Sequence, residues 1–201
     1  MATCLTSIIV IDIEYSDMKT IIVKNLMVPI QRYAIVSQDV TLQAAVLALE
    51  KAQQTIDPLK FKHRAILVFD NDGNIVGKIT MFDILKALEP KYGQIEATGT
   101  LSRSGYSPDF IKSMLKDNVF WDEPLEFICE RTKTLRVSDI METPANGTYI
   151  DENANLSEAM HQLVAGRYQS LLVTAAEKVI GILRLSDVFT QICDKIKTCE
   201  Q

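Results

Sequence analysis

One short pattern appears twice in this chain, and the repetition restricts the fold more than any other feature. Residues 70–83 read DNDGNIVGKITMFD and residues 174–187 read TAAEKVIGILRLSD. Gly77 and Gly181 stand 104 positions apart, as do Asp83 and Asp187. A second pair lies upstream: VKNLMVPI from Val23 and VSDIMETP from Val137, at an offset of 114. The first copy therefore carries ten additional residues between its halves. Such self-similarity means one structural unit built twice, with each copy burying its apolar face against the other. The cleft between two such units is a natural ligand site.

Each copy runs through the same order of elements. After the V-x-x-[LI]-M lead-in comes an extended stretch (Tyr33 to Val36; Thr148 to Ile150), then polar punctuation, then a helical pattern. Leu42, Ala45, Val46 and Leu49 fall at i, i+3, i+4 and i+7, and Leu156, Ala159, Met160 and Leu163 do the same, which predicts one apolar face on each helix. Gly166 stands where a helix C-cap belongs. Two strand pairs follow. AILVF (65–69) and NIVGKIT (74–80) flank Asp70-Asn71-Asp72-Gly73, a strong hairpin signal. SLLVT (170–174) and KVIGILR (178–184) flank Ala175-Ala176-Glu177, a weaker turn. A closing helix ends each copy, over 83–89 and 187–197. The order is β-α-β-β-α, twice.

The copies are separated by a segment of different character. Residues 92–106 hold three glycines and several Ser and Thr, and read as loop. Ser107-Pro108 supplies a cap and an N1 proline for a helix to about Lys116. Trp121-Asp122-Glu123-Pro124 opens another. We read 90–136 as a helical insert, with Phe120 and Trp121 as buried anchors. Residues 1–17 read as an extension, 18–89 and 137–197 as the repeats, and 198–201 as a tail. Met18 is a second candidate translation start.

Composition matters mainly for what it disfavours. A net charge of −5 argues against non-specific nucleic-acid binding, which needs a basic footprint, although it leaves room for a local basic pocket. The four cysteines show no CxxC pairing and read as reduced thiols of a cytoplasmic protein. No stretch approaches the roughly 18 apolar residues of a membrane span.

The paired V-x-x-[LI]-M and G-x-[IL]-x-x-x-D runs resemble the CBS domain pair, or Bateman module, over about 135 residues by the count of the two repeats. That resemblance implies an α+β fold. Two β-α-β-β-α repeats pack through their sheets about a pseudo-twofold axis, and the small helical insert lies outside them. It also implies clefts that take adenosine-containing ligands: AMP, ADP, ATP or S-adenosylmethionine. A carboxylate in each run is suited to the two ribose hydroxyls, and a neighbouring hydroxyl at a helix start to phosphate. Asp83 is the ribose candidate in the first copy, with Thr80 for a hydroxyl or phosphate and Arg64 for added charge. The second copy offers Asp187 with Ser186 and Arg184. Arg184 stands where Thr80 stands in the first, and an Arg forks onto phosphate where a Thr gives one hydroxyl. Ala34 and Thr148, at matched positions, are candidates to line base pockets.

Plainer roles exist for the same residues. Thr80-x-x-Asp83 is also a capping box, Ser186 a plain N-cap, and Arg184 a partner for a nearby acid. Gly77 and Gly181 fit as positions that relieve crowding between strands. The chain departs from the family pattern too. Its central strands lack the usual proline, and the second copy lacks both the Asp-Gly turn and the Thr. The two clefts are therefore expected to be inequivalent.

Catalysis finds little support. His63 and His161 are the only histidines and show no metal-ligand spacing, and no nucleophile motif or phosphate-binding loop is present. The expectation is a stand-alone regulatory module, not an enzyme. It needs no obligatory cofactor and holds no metal. An adenine nucleotide serves as regulatory ligand, a homodimer forms through the helices, and an unidentified protein is the target. The alternative is a ligand-free scaffold that docks a partner on the insert. A nucleic-acid-linked regulator ranks third.

Overall fold

A computed structural model describes residues 18–54, 62–92, 107–117 and 120–198. The N-terminal extension, most of the interrepeat loop and the last three residues of the tail lie outside these ranges. The first repeat comprises β1 (Val28–Pro29), β2 (Ile35–Ser37), α1 (Leu42–Gln54), β3 (Ala65–Phe69), β4 (Ile75–Thr80) and α2 (Met81–Leu88). The insert contributes α3 (Pro108–Asp117) and α4 (Leu125–Thr134). The second repeat comprises α5 (Val137–Ile140), β5 (Tyr149–Asp151), α6 (Leu156–Gly166), β6 (Ser170–Ala175), β7 (Lys178–Arg184) and α7 (Leu185–Thr198). This is the α+β arrangement that the repeats imply.

The two hairpins turn by different chemistry. In the first, Asp70 Oδ1 accepts from the N–H groups of Asp72 (3.0 Å) and Asn74 (2.8 Å), and Gly73 takes φ +81°. This is the Asx-type turn that the Asp-Gly signal predicts. In the second, Ala176 and Glu177 stand at φ +45° and +67°. Two left-handed central residues define the tight turn that matches strand twist, and non-glycine residues adopt it only against a steric penalty. The weak sequence signal at this turn reflects that mismatch.

β1 does not join the sheet of its own repeat. It pairs antiparallel with β7 of the second repeat (Val28↔Ile182, Pro29↔Gly181), so one sheet runs β1-β7-β6-β5. The other sheet runs β2-β3-β4. Its β4 edge is covered reciprocally, where Lys78 N–H donates to Glu142 O (3.1 Å) and Glu142 N–H to Lys78 O (2.9 Å). The lead-in segments have thus exchanged places. Val23 N–H donates to Ala154 O, and Leu156 N–H to Ile21 O, both at 2.8 Å. In the corner related by the pseudo-twofold, Val137 N–H donates to Val40 O (2.9 Å), and Leu42 N–H to Leu135 O (2.8 Å).

The cores follow the exchange. Val23, fully buried, packs with Ile150, Leu156, Leu163, Leu171 and Leu183 of the second repeat. Val137 packs with Ala34, Val36, Leu49, Ile66 and Ile79 of the first. A third cluster (Tyr33, Ala65, Leu67, Leu172, Ile182) joins the inner faces of the two sheets. On α1, Leu42, Ala45 and Leu49 are buried, whereas Val46 lies at the edge of the predicted face and is exposed.

Two sequence expectations change here. The left-handed helix cap falls on Arg167 (φ +51°), one residue after Gly166. Gly166 instead clears space for Tyr168, whose ring a Cβ at that position would overlap. Trp121 is 42% exposed and is not a buried anchor. The insert is held by polar groups instead: Glu89, itself buried, accepts from Trp121 N–H (2.7 Å) and Lys91 N–H (3.1 Å), and Arg131 donates to Leu88 O.

Gly77 and Gly181 acquire one explanation. A Cβ on Gly181 would lie 2.7 Å from Val28 O and 2.8 Å from Met27 Sδ, and one on Gly77 would overlap Met141 Sδ. Each repeated glycine therefore seats the repeated methionine of the opposite lead-in. Gly181→Ala is expected to cost about 1–3 kcal/mol in urea unfolding, because backbone as well as side chain must yield. For Gly77→Ala, where only Met141 intrudes, adding Met141→Ala should recover part of the loss. An additive double mutant would contradict the exchanged packing.

Candidate functional site

The ends of β4 and β7 bring the two halves of the repeated pattern to one place. There a cavity of about 660 Å³ opens between the repeats. Thr80, Met81 and Phe82 line it from the start of α2, and Arg184, Leu185, Ser186 and Phe189 from the start of α7. Tyr33, Lys62, Arg64, Ala65, Gln169 and Ser170 complete the wall. Its size falls in the range of small-molecule sites. Both helices begin here because β4 and β7 end at matched positions, and the free N–H groups of a first turn favour negative charge.

Matched positions carry different chemistry in the two repeats. In the first, Thr80 and Asp83 form a capping box. Asp83 N–H donates to Thr80 Oγ1 (3.2 Å), while Thr80 N–H (2.7 Å) and Oγ1–H (2.6 Å) both donate to Asp83 Oδ2. In the second repeat, Arg184 replaces the threonine and cannot cap. Its guanidinium forks onto Asp187 instead, Nε to Oδ2 at 2.6 Å and Nη2 to Oδ1 at 2.5 Å. The side chains of this pair are only 11% and 18% exposed, so solvent screens it less than a surface pair. Both ribose-candidate carboxylates are thus engaged within their own helical turn.

Arg184 has a second neighbour across the repeat boundary. Its Nη1 lies 3.5 Å from His63 Nδ1. His63 Nε2 sits 2.9 Å from Arg32 O, which places the proton on Nε2 and leaves Nδ1 to accept. The imidazole stacks at a tilt on Tyr33, centroids 4.2 Å apart. Burial, chiefly, and the nearby Arg184 cation push the His63 pKa below its ordinary value. Burial also raises the Tyr33 phenol to about 12, so it stays neutral.

Of the residues picked from sequence, Thr80, Arg64, Arg184 and Ser186 meet at this cavity, and Asp187 stands behind Arg184. Ser186 is not the N-cap, because α7 already begins at Leu185. Asp83 faces a separate cavity of about 430 Å³ with Lys86, Asp139 and Met141. Ala34 is buried in the first core and does not line the main cavity. Thr148 is likewise buried, donates to Ala145 O (2.7 Å), and borders a small pocket with Lys78, Glu142 and Leu172. Tyr33, Lys62, Phe82 and Phe189 were not singled out from sequence. Lys62 and His63 stand near the end of the connection from α1 to β3, which is longer than the connection from α6 to β6 in the second copy. Among the described residues no His/Cys/Asp/Glu cluster suits a metal, and no helix is long and apolar enough to cross a membrane.

Known proteins show the same architecture. The family model of the CBS domain matches residues 23–90 and 137–194. The chain belongs to the CBS domain family, as a pair of repeats. Its fold resembles the CBS domain of a CBS domain containing membrane protein from Sphaerobacter thermophilus, at 20% identity and a TM-score of 0.57, covering 86% of this chain and 88% of that one. It also resembles CBSX2 from Arabidopsis thaliana (21% identity, TM-score 0.56, 88% and 97% covered). A structure of CBSX2 in complex with AMP matches at 20% identity and a TM-score of 0.55, with 87% and 97% covered. No curated protein matches the chain by sequence.

The lowered His63 pKa makes a pH prediction. The unfolded chain binds a proton near pH 6.5, whereas the folded chain resists it to lower pH, so stability is full above about 6.5 and falls as the pH drops below that value. Unfolding free energies measured from pH 7.5 to 5 should decline more steeply for the native chain than for His63→Gln. Identical slopes would show that His63 titrates normally.

Proposed function

We propose that this chain is a regulatory module of the cytoplasm. It binds an adenosine-containing ligand, AMP, ADP, ATP or S-adenosylmethionine, in the cavity between its repeats and transmits occupancy to a partner protein by a change in their relative angle. The observation that carries this reading is the convergence of Thr80, Arg64, Arg184 and Ser186, from two repeats, on one 660 Å³ cavity. The AMP bound to CBSX2 supports the ligand class. The ligand is a regulator in this reading, and no residue performs a reaction.

A homodimer fits the same picture. Leu85 on α2 and Phe189 on α7 occupy matched positions and are 57% and 61% exposed. Phe82 and Ile196 extend that apolar face, which a second copy would cover. The scaffold reading also has an observation in its favour: Leu125 and Phe127 on α4 are exposed on the insert.

Thermal unfolding with each of the four ligands separates these readings. A ligand at 100 times its Kd adds about 2.7 kcal/mol, which raises the melting temperature of a chain this size by roughly 5–10 °C. The regulator reading expects such a shift with at least one ligand, and sedimentation of the same samples at the mass of a dimer. The absence of a shift with all four would leave the scaffold.

A further inference from the structure

One stretch of the insert exposes more apolar surface than the fold uses. All seven residues from Trp121 to Phe127 are exposed. Leu125 and Phe127, in the first turn of α4, are 75% and 62% exposed, and Trp121 stands just before them. Single exposed apolar side chains need no explanation, but three large ones within seven residues form a patch, and such patches mark interaction surfaces. Past this turn Ile128, Arg131 and Thr132, at i, i+3 and i+4, are half-buried where α4 packs on α1 and α2. The helix is thus seated by its later turns, and its start stands clear of the body. The patch is also held in one shape. Trp121 takes φ +58°, in the left-handed region that a bulky residue adopts only at a cost. Buried Glu89 fixes that backbone by accepting from Trp121 N–H (2.7 Å). Trp121 Nε1–H donates to the hydroxyl of Tyr92 (3.4 Å), whose ring stacks on Phe120. A surface already in place loses less freedom when a partner covers it.

Charge indicates what covers the patch. The same seven residues carry three carboxylates and no base. Arg131 pairs with Glu123 (2.5 Å), but Asp122 and Glu126 have no ion-pair partner among the described residues. A second copy of this chain, itself at net charge −5, would bring carboxylates against carboxylates, and an anionic membrane would meet the same repulsion. We propose that Trp121, Leu125 and Phe127 form the docking surface for a cationic amphipathic segment of a partner protein. Its apolar side chains cover the three anchors, and its Lys or Arg groups meet Asp122 and Glu126. Both readings of the function call for a protein partner, and on that alone this surface rests. It shares no residue with the cavity between the repeats.

Trp121 is the only tryptophan of the chain, so its fluorescence reports on the patch directly. The full chain, without nucleotide, is titrated with a tryptophan-free peptide of Leu and Lys patterned as an amphipathic helix, and with the same peptide carrying Glu in place of Lys. The expected result is a saturable shift of Trp121 emission to shorter wavelength with the Lys peptide, weakened by added salt, and none with the Glu peptide. Asp122→Asn with Glu126→Gln, both at exposed positions, should weaken the Lys peptide roughly fivefold to tenfold. Leu125→Ser with Phe127→Ser should weaken it about tenfold or more. No saturable shift with the Lys peptide, equal binding of the Glu peptide, or an unchanged affinity in either double variant would each overturn the docking surface. A larger shift with phosphatidylserine vesicles, or on raising the concentration of the protein alone, would overturn it too, by assigning the face to a membrane or to a second copy. Each of these failures leaves the adenosine reading standing, because no nucleotide takes part.

Discussion

The exchange of lead-in segments holds the rest of this structure in place. Each repeat alone would present an unpaired strand edge and a core missing a fully buried valine. β1 closes the β7 edge, and the Glu142 segment closes the β4 edge. Val23 and Val137 fill the cores they were exchanged into. An open edge and an unfilled core are both destabilising, and one exchange removes both on each side. The repeats are therefore joined by backbone hydrogen bonds and buried apolar surface, in addition to the contact between their sheets.

That joint also places the cavity. Because β4 and β7 are each fixed by the opposite lead-in, the first turns of α2 and α7 open toward one space. The cations that line it come from both repeats. In the proposed function, a ligand there would touch two bodies that already share strands, which gives a change in their angle a route to the outer helices. The inequivalence of the two halves is chemical: a capping box at Thr80/Asp83 and a forked ion pair at Arg184/Asp187.

Much of this is legible in the sequence for physical reasons. The apolar strand runs, the Asp-Gly turn and the helix periodicities are local, so the element order follows from them. The matched positions Thr80 and Arg184 mark the site for a similar reason, since each stands three residues before an Asp at a helix start, within reach of its carboxylate. The exchange is not legible. V-x-x-[LI]-M announces an apolar segment but carries nothing about which of two similar cores receives it, and only the structure shows Met27 against Gly181 and Met141 against Gly77. Tyr33 and His63 were missed for a related reason. Their meeting with Arg184 spans the repeat boundary, which no pattern within one copy reports. Gly166 shows the limit of a positional rule: Tyr168, not helix capping, accounts for that glycine.

Native-state hydrogen exchange of the amides of Val23, Lys78, Val137 and Glu142 tests the exchanged lead-ins most directly. These groups make the hydrogen bonds that cross between repeats. If the two repeats are one cooperative unit, these amides open only with the central strands, and their opening free energies equal those of Leu67 and Leu172. Exchange of these four amides at much lower free energy, or one repeat opening while the other stays protected, would contradict the account.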